Sequence, residues 1–296
     1  MLRFRGFVPL AYLFLIVIWG HSWVMMKIAL ANAGPITFAA QRTFLAAVVL
    51  LAVLPILGRR LRPVRIPETI MLGIVQTTIF VTCSQLSLVD GGVGRSAVLV
   101  FTMPFWTILL AAFLLGERLV ATQYWAVGLA AVGLISILEP WALSGSVQSK
   151  LIALLAGFAW AASAIIVKRM QRHADVDLIS LTAWQLLFGS VVLIPIALSS
   201  GEPPTVWTPE FLGVLVFTAV LPSGLGWVVW FYLLQRLSAG VASITLLAIP
   251  VFATASSAYH LGDRMDPNET VGMVLIILAL AMLSWIALVN RPDEVA

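Results

Sequence analysis

The chain has 296 residues, of which 61% are hydrophobic (AVILMFWYC) and 10% are charged, with a formal net charge of +4. Soluble domains carry roughly 25% charged residues, so these charges cannot clothe a water-exposed surface, and the expected fold class is an all-α integral membrane protein. A single cysteine, Cys83, argues against a disulfide framework or a cysteine metal centre, and no Lys/Arg run interleaved with aromatics points to nucleic acid.

A spanning helix needs roughly 17–25 largely apolar residues. Ten segments of about that length lie between charged or Pro/Gly-rich breaks: Phe7–Ala29, Pro35–Leu57, Pro67–Leu88, Arg95–Leu115, Thr122–Ile137, Lys150–Met170, Asp177–Leu198, Glu210–Leu233, Gly240–Leu261 and Glu269–Val289. The first follows Arg3 and Arg5 without a small-residue cleavage pattern and is expected to be a span, not a removed signal peptide. Connections are short, so residues 1–296 are expected to form a single membrane domain in a lipid bilayer. With ten spans, one side collects Arg3, Arg5, Arg59, Arg60, Arg62, Arg65, Arg118, Lys168, Arg169, Arg172, Arg236 and Arg291. Basic loops stay inside, which predicts both termini in the cytoplasm.

The first span carries Trp19, His21 and Ser22 near its middle, and Lys27 near its end as an expected anchor. His21 is either a proton relay or a neutral imidazole bonded between helices. In the second span, Arg42 lies one to two turns from the start. It is a candidate carboxylate contact or a side chain that snorkels to the headgroups. The third places Gln76, Phe80, Cys83 and Ser87 on one polar-aromatic stripe at α-helical spacing. Such a stripe must face protein or water, either to meet a solute or to join helices. Gln41, Thr102 and Gln185 share that ambiguity. In the fourth and ninth spans Pro104 and Pro250 are mid-helix, as hinges or static kinks. The eighth carries Ser223, Trp227 and Trp230 on one face. Trp125, Trp141, Trp207 and Trp285 sit near span ends, as an interfacial belt would.

The chain repeats itself. Trp19, Ser22 and Lys27 recur as Trp160, Ser163 and Lys168 at the same spacing. Gly94, Pro104, Gly116, Glu117 and Arg118 recur as Gly240, Pro250, Gly262, Asp263 and Arg264 at one constant offset. Repeat 1 covers approximately 7–139 and repeat 2 approximately 150–289. Five spans per repeat is an odd number, so the second half is inverted relative to the first, a plan recurrent in secondary transporters. Ten spans in five plus five, the paired prolines, the G-E-R and G-D-R turns and the opening Trp19-Gly20-x-x-Trp23 resemble the drug/metabolite transporter superfamily, specifically its EamA-type members. The tryptophan-rich spans are most similar to its aromatic amino-acid exporter branch. That resemblance implies export of amino acids or other metabolites across a bacterial inner membrane.

No G-x-x-x-x-G-K-[ST] is present, and no H-E-x-x-H surrounds His21, His173 or His260, so neither an ATPase nor the commonest zinc hydrolase is indicated. Every Asp and Glu falls at a helix end or in a loop; a coupling carboxylate would sit at membrane depth. The expected function is therefore ATP-independent secondary transport, by alternating access, of small organic metabolites, foremost amino acids with aromatic preference. No cofactor or metal is called for. Expected substrate contacts are Trp19, His21, Ser22, Gln76, Phe80, Phe101, Trp160, Ser163 and Trp227. The alternatives are another small metabolite or an amphipathic drug on the same fold, or a membrane-embedded lipid-modifying enzyme.

Overall fold

The computed structural model describes residues 7–59, 61–116, 125, 128, 129, 132, 133, 136, 147–173, 176–237, 239–244, 246, 248–263 and 267–289. Its secondary structure is helical, with no strand among the described residues. A bilayer interior demands this, since each backbone N–H and C=O must find its partner within the segment.

The helices are α1 (Phe7–Ala29), α2 (Pro35–Ile56), α3 (Ile66–Ser87), α4 (Val93–Val100 continuing as Met103–Leu115), α5 (Val147–His173), α6 (Leu178–Ser199), α7 (Pro209–Arg236), α8 (Ala239–Ile244 and Ala248–Leu261) and α9 (Pro267–Val289). The expected fifth span, Thr122–Ile137, lies largely outside the described residues, so α5 to α9 match the sixth to tenth sequence segments. Seven of the described helices are long and apolar enough to cross a membrane. The divided α8 and α9 are the two that do not reach that measure among the described residues. Large apolar side chains stand on the outer faces, Phe113 at 84% and Leu198 at 83% exposed, a surface suited to lipid tails rather than water.

Local chemistry sets the helix ends. Pro35 opens α2, where a missing N–H is harmless. Glu202 crosses from the α6–α7 loop to accept from the N–H groups of Ile36 (2.9 Å) and Thr37 (2.8 Å). Asp177 caps α6 by accepting from Ile179 and Ser180, and its other oxygen pairs with Arg59 at 2.6 Å. The repeated glycines Gly116 and Gly262 close α4 and α8 at φ 69° and 66°, a left-handed turn that favours glycine. Asp263, one residue on, accepts from Val93 N–H (3.1 Å) and Ser257 Oγ (2.7 Å), joining the end of α8 to the start of α4. Arg118 and Arg264 lie outside the described residues.

Two helices contain π-helical turns, Gly73–Phe80 in α3 and Ala219–Leu225 in α7. They begin at the same offset that relates Gly94 to Gly240. Each widens the helix locally and rotates the side chains beyond it about the helix axis.

Packing is between small faces. α2 runs along α6, and α4 along α8. α1 lies against α8 as α5 lies against α4; α3 lies against α6 as α7 lies against α2. Glycine permits close helix approach at Gly73 and Gly189 between α3 and α6, where an added Cβ would stand 2.6 Å from Gln185 O and 2.3 Å from Thr77 Cβ.

Candidate functional site

Near the middle of α1, Trp19 projects inward and donates its indole N–H to the Pro222 carbonyl at 3.0 Å. A Cβ on Gly226 would stand 2.5 Å from that nitrogen, so the glycine lets the ring lie against α7. Trp160 on α5 meets Trp19 edge-on, with ring centroids 5.3 Å apart and planes at 80°. Phe80, at the end of the α3 π-turn, reaches Trp160 at 5.3 Å and Trp227 at 5.6 Å. Phe101, at the break in α4, stands 5.1 Å from Trp160. Trp227 closes the group at 5.0 Å from Trp19 and 5.8 Å from Trp160. These are separations at which offset and edge-to-face aromatic pairs attract. Trp230 backs the layer at 5.9 Å from Trp160.

Above this aromatic floor is a cavity of about 50 Å3, room for a few water molecules and too little for an indole ring. It runs toward the end of the bundle where α1 finishes and α2 begins. Trp23, Met26, Ser84 and Arg42 line that upper part, with Ser22, Val81, Pro222 and Ser223 beside them. Arg42 is 6% exposed.

Of the residues singled out from sequence, Trp19, Ser22, Phe80, Phe101, Trp160, Trp227 and Arg42 share this cavity wall. Three do not. His21 turns to the α1–α8 contact, its Nδ1 3.3 Å from Ser256 Oγ and its ring 5.4 Å from that of His260. Gln76 is fully buried outside the cavity wall, and neither its amide nitrogen nor its oxygen has a hydrogen-bond partner among the described residues. Ser163 is buried and donates to the Trp160 carbonyl at 2.7 Å, as Ser22 does to Trp19. Gln185 and Thr102 are also committed, Gln185 Oε1 accepting from Thr77 Oγ1 and Thr102 Oγ1 donating to Leu99 O, both at 2.7 Å. Lys27 is no simple anchor; its Nζ donates to the carbonyls of Leu88, Val89 and Gly91, capping α3.

Of the α3 stripe, Gln76, Phe80 and Ser87 are buried and Cys83 packs partly buried against the core; Phe80 faces the cavity, with Val81 and Ser84 beside it. Trp23 and Met26 are legible in retrospect: they lie four and seven residues after Trp19, on the same helical face.

Pro104 and Pro250 lie just inside the second piece of α4 and of α8. Pro104 cannot bond the Val100 carbonyl. That oxygen instead faces Gly157 of α5, where an added Cβ would stand 2.7 Å from it.

The EamA-like transporter family matches residues 7–138 and again 149–285. The chain is 26% identical over 275 residues to "Uncharacterized transporter YoaV" of Bacillus subtilis, covering 90% of this chain and 92% of that one. It is 28% identical over 296 residues to a "Probable amino-acid metabolite efflux pump" of Salmonella typhimurium, covering 95% and 94%. A relative in Escherichia coli, 24% identical over 291 residues and covered 96% to 93%, is "Uncharacterized inner membrane transporter YedA". A protein of known crystal structure, 18% identical, superposes with a TM-score of 0.71 over 97% of this chain and 100% of its own, which speaks to fold alone. The family and the relatives named above are described as transporters rather than enzymes. The chain belongs to the EamA-like transporter family.

Proposed function

We propose that this transporter exports small organic metabolites, amino acids with aromatic side chains foremost, by alternating access and without ATP. One observation carries the substrate preference: five aromatic side chains from α1, α3, α4, α5 and α7 converge at 5.0–5.8 Å around one cavity. Flat rings stack on a flat solute, and edge contacts between them are exchangeable for contacts with it. The names of the efflux-pump relatives support amino acids as cargo. Trp160 Nε1 has no hydrogen-bond partner among the described residues, leaving an indole donor for the solute, whereas its repeat mate Trp19 spends its own on Pro222. Ser22, Ser84 and Ser223 add hydroxyls to the wall. Gln76, four residues before Phe80 on α3, is buried with its amide unpartnered among the described residues.

The transport cycle is that of an inverted repeat. The family matches the chain twice, and the helix contacts map onto themselves when α1 is exchanged with α5, α2 with α6, α3 with α7 and α4 with α8. Paired prolines and paired π-turns fall at corresponding places. These features support ten spans in two halves with hinges at Pro104 and Pro250, while the basic loops support cytoplasmic termini and the name of the inner membrane relative supports a bacterial inner membrane. Swinging the half-helices of α4 and α8 would withdraw Phe101, at the α4 break, and enlarge the cavity.

The test is uptake of labelled tryptophan, phenylalanine and threonine into liposomes holding the purified protein, against empty liposomes. Saturable uptake ranked tryptophan and phenylalanine above threonine is expected; equal rates for all three would remove the aromatic preference. Because no Asp or Glu lies in the cavity wall among the described residues, collapsing the proton gradient is expected to leave downhill flux within about twofold. Abolition of flux by a protonophore would make the carrier proton-coupled, with the His21–His260 pair the group to mutate next.

A further inference from the structure

Arg42 sits in the second turn of α2 and has two ways to live in a membrane: reaching out to headgroups or facing a polar interior. The structure decides between them. At 6% exposure the side chain is turned into the protein and lines the cavity with Ser22, Trp23, Met26 and Ser84. Its Nε has no hydrogen-bond partner, and the compensation found among the described residues is the face of Phe38, 6.0 Å from Cζ. No Asp or Glu lines the cavity among the described residues. A buried guanidinium without a counter-charge is unfavourable, and is stabilised when an anion enters beside it. Directly below it lies the aromatic floor.

We infer that Arg42 anchors the carboxylate of the carried solute, and that this solute is an aromatic monocarboxylate whose amino group is not required. The inference rests on the central cavity being the transport site proposed above. A guanidinium matches a carboxylate with two parallel N–H···O bonds. The ring then falls on Trp19, Trp160 and Trp227. An ammonium on the same solute finds no carboxylate among the described residues of the wall and only aromatic faces to attract it, so it adds little to recognition. Aryl-alkyl acids that lack nitrogen altogether are accepted as well as the amino acids.

Three solutes with one ring system separate the charges: indole-3-propionate (carboxylate only), tryptophan (both) and tryptamine (ammonium only). Uptake of each, labelled, into protein liposomes is corrected for empty liposomes. Indole-3-propionate is expected to enter at least as fast as tryptophan, and tryptamine at least tenfold more slowly. Arg42→Gln is expected to slow both carboxylates at least tenfold while the detergent melting temperature holds or rises, because an uncompensated charge has been removed. Arg42→Lys, keeping the charge without the fork, recovers part of the flux. A merely structural arginine would instead lower the melting temperature and slow all solutes alike. Tryptamine carried as fast as tryptophan, or wild-type carboxylate flux in Arg42→Gln, overturns the inference and leaves the carrier intact. Failure of the wild-type protein to carry any of the three, with insertion verified, removes the aromatic-metabolite function and this inference with it.

Discussion

Trp160→Ala is expected to eliminate aromatic-solute flux while the protein still inserts in the membrane. Trp160 is 2% exposed and touches five other rings, Trp19, Phe80, Phe101, Trp227 and Trp230, at 5.1–5.9 Å. Through these ring contacts it joins α5 to α1, α3, α4 and α7. Removing a buried tryptophan from a water-soluble core costs about 3–5 kcal/mol. In a bilayer the water-transfer part is smaller but the dispersion part persists, so a lower melting temperature accompanies the loss of flux. Insertion is set by the apolarity of α5 as a whole, which alanine preserves. Trp160→Phe separates the two effects: it keeps a ring among its neighbours and so most of the stability, but deletes the unpartnered indole N–H. Intermediate flux in Trp160→Phe with none in Trp160→Ala is the pattern expected of a stacking residue that also donates a hydrogen bond. Wild-type flux in Trp160→Ala would retire the aromatic floor as the substrate site.

What is legible in the sequence divides along physical lines. Apolar run length marks the described helices, because membrane thickness and backbone hydrogen bonding leave one solution. The glycines of the G-[DE]-R turns read correctly as helix ends, and Gly116 and Gly262 both take the left-handed conformation. The repeat picks out Trp19 and Trp160, and its helical face picks out Trp227. Sequence reasoning stops where an inward face must be assigned its neighbour. The α3 stripe is buried at Gln76, Phe80 and Ser87, yet of its four residues only Phe80 lines the cavity, beside Val81 and Ser84. Proximity to Trp19 and Ser22 suggests the cavity for His21, yet two residues on from Trp19 a helix points to another side, here toward Ser256. Lys27 looks like an anchor because a single sequence cannot show the bare carbonyls at the end of α3 that it caps. Arg42 has two options that only burial could separate.

Gly189→Ala is the second large effect, and its sign is decided by a competition. Alanine favours a helix over glycine by about 1 kcal/mol, so an exposed glycine in α6 would gain by the change. At Gly189 the new Cβ would stand 2.3 Å from Thr77 Cβ and 2.4 Å from the Gly73 carbonyl oxygen of α3. Neither atom lies at the end of a flexible side chain, so one helix must move away from the other. That motion would stretch Thr78 Oγ1–Gly189 O (2.9 Å) and Thr77 Oγ1–Gln185 Oε1 (2.7 Å), which join the same two helices. Overpacking of this kind costs about 1–3 kcal/mol or more, exceeding the propensity gain. Gly189→Ala should therefore lower the detergent melting temperature and the yield of monodisperse protein. Gly213 in α7 supplies the contrast, since nothing stands within 4 Å of its would-be Cβ. Gly213→Ala should match or exceed wild-type stability. The α3–α6 contact also positions the π-turn that presents Phe80 to the cavity, so Gly189→Ala should depress flux even in the fraction that folds. If both variants melt with the wild type, the backbones of α3 and α6 are further apart than these distances describe, and the face that α3 presents to the solute must be redrawn with them.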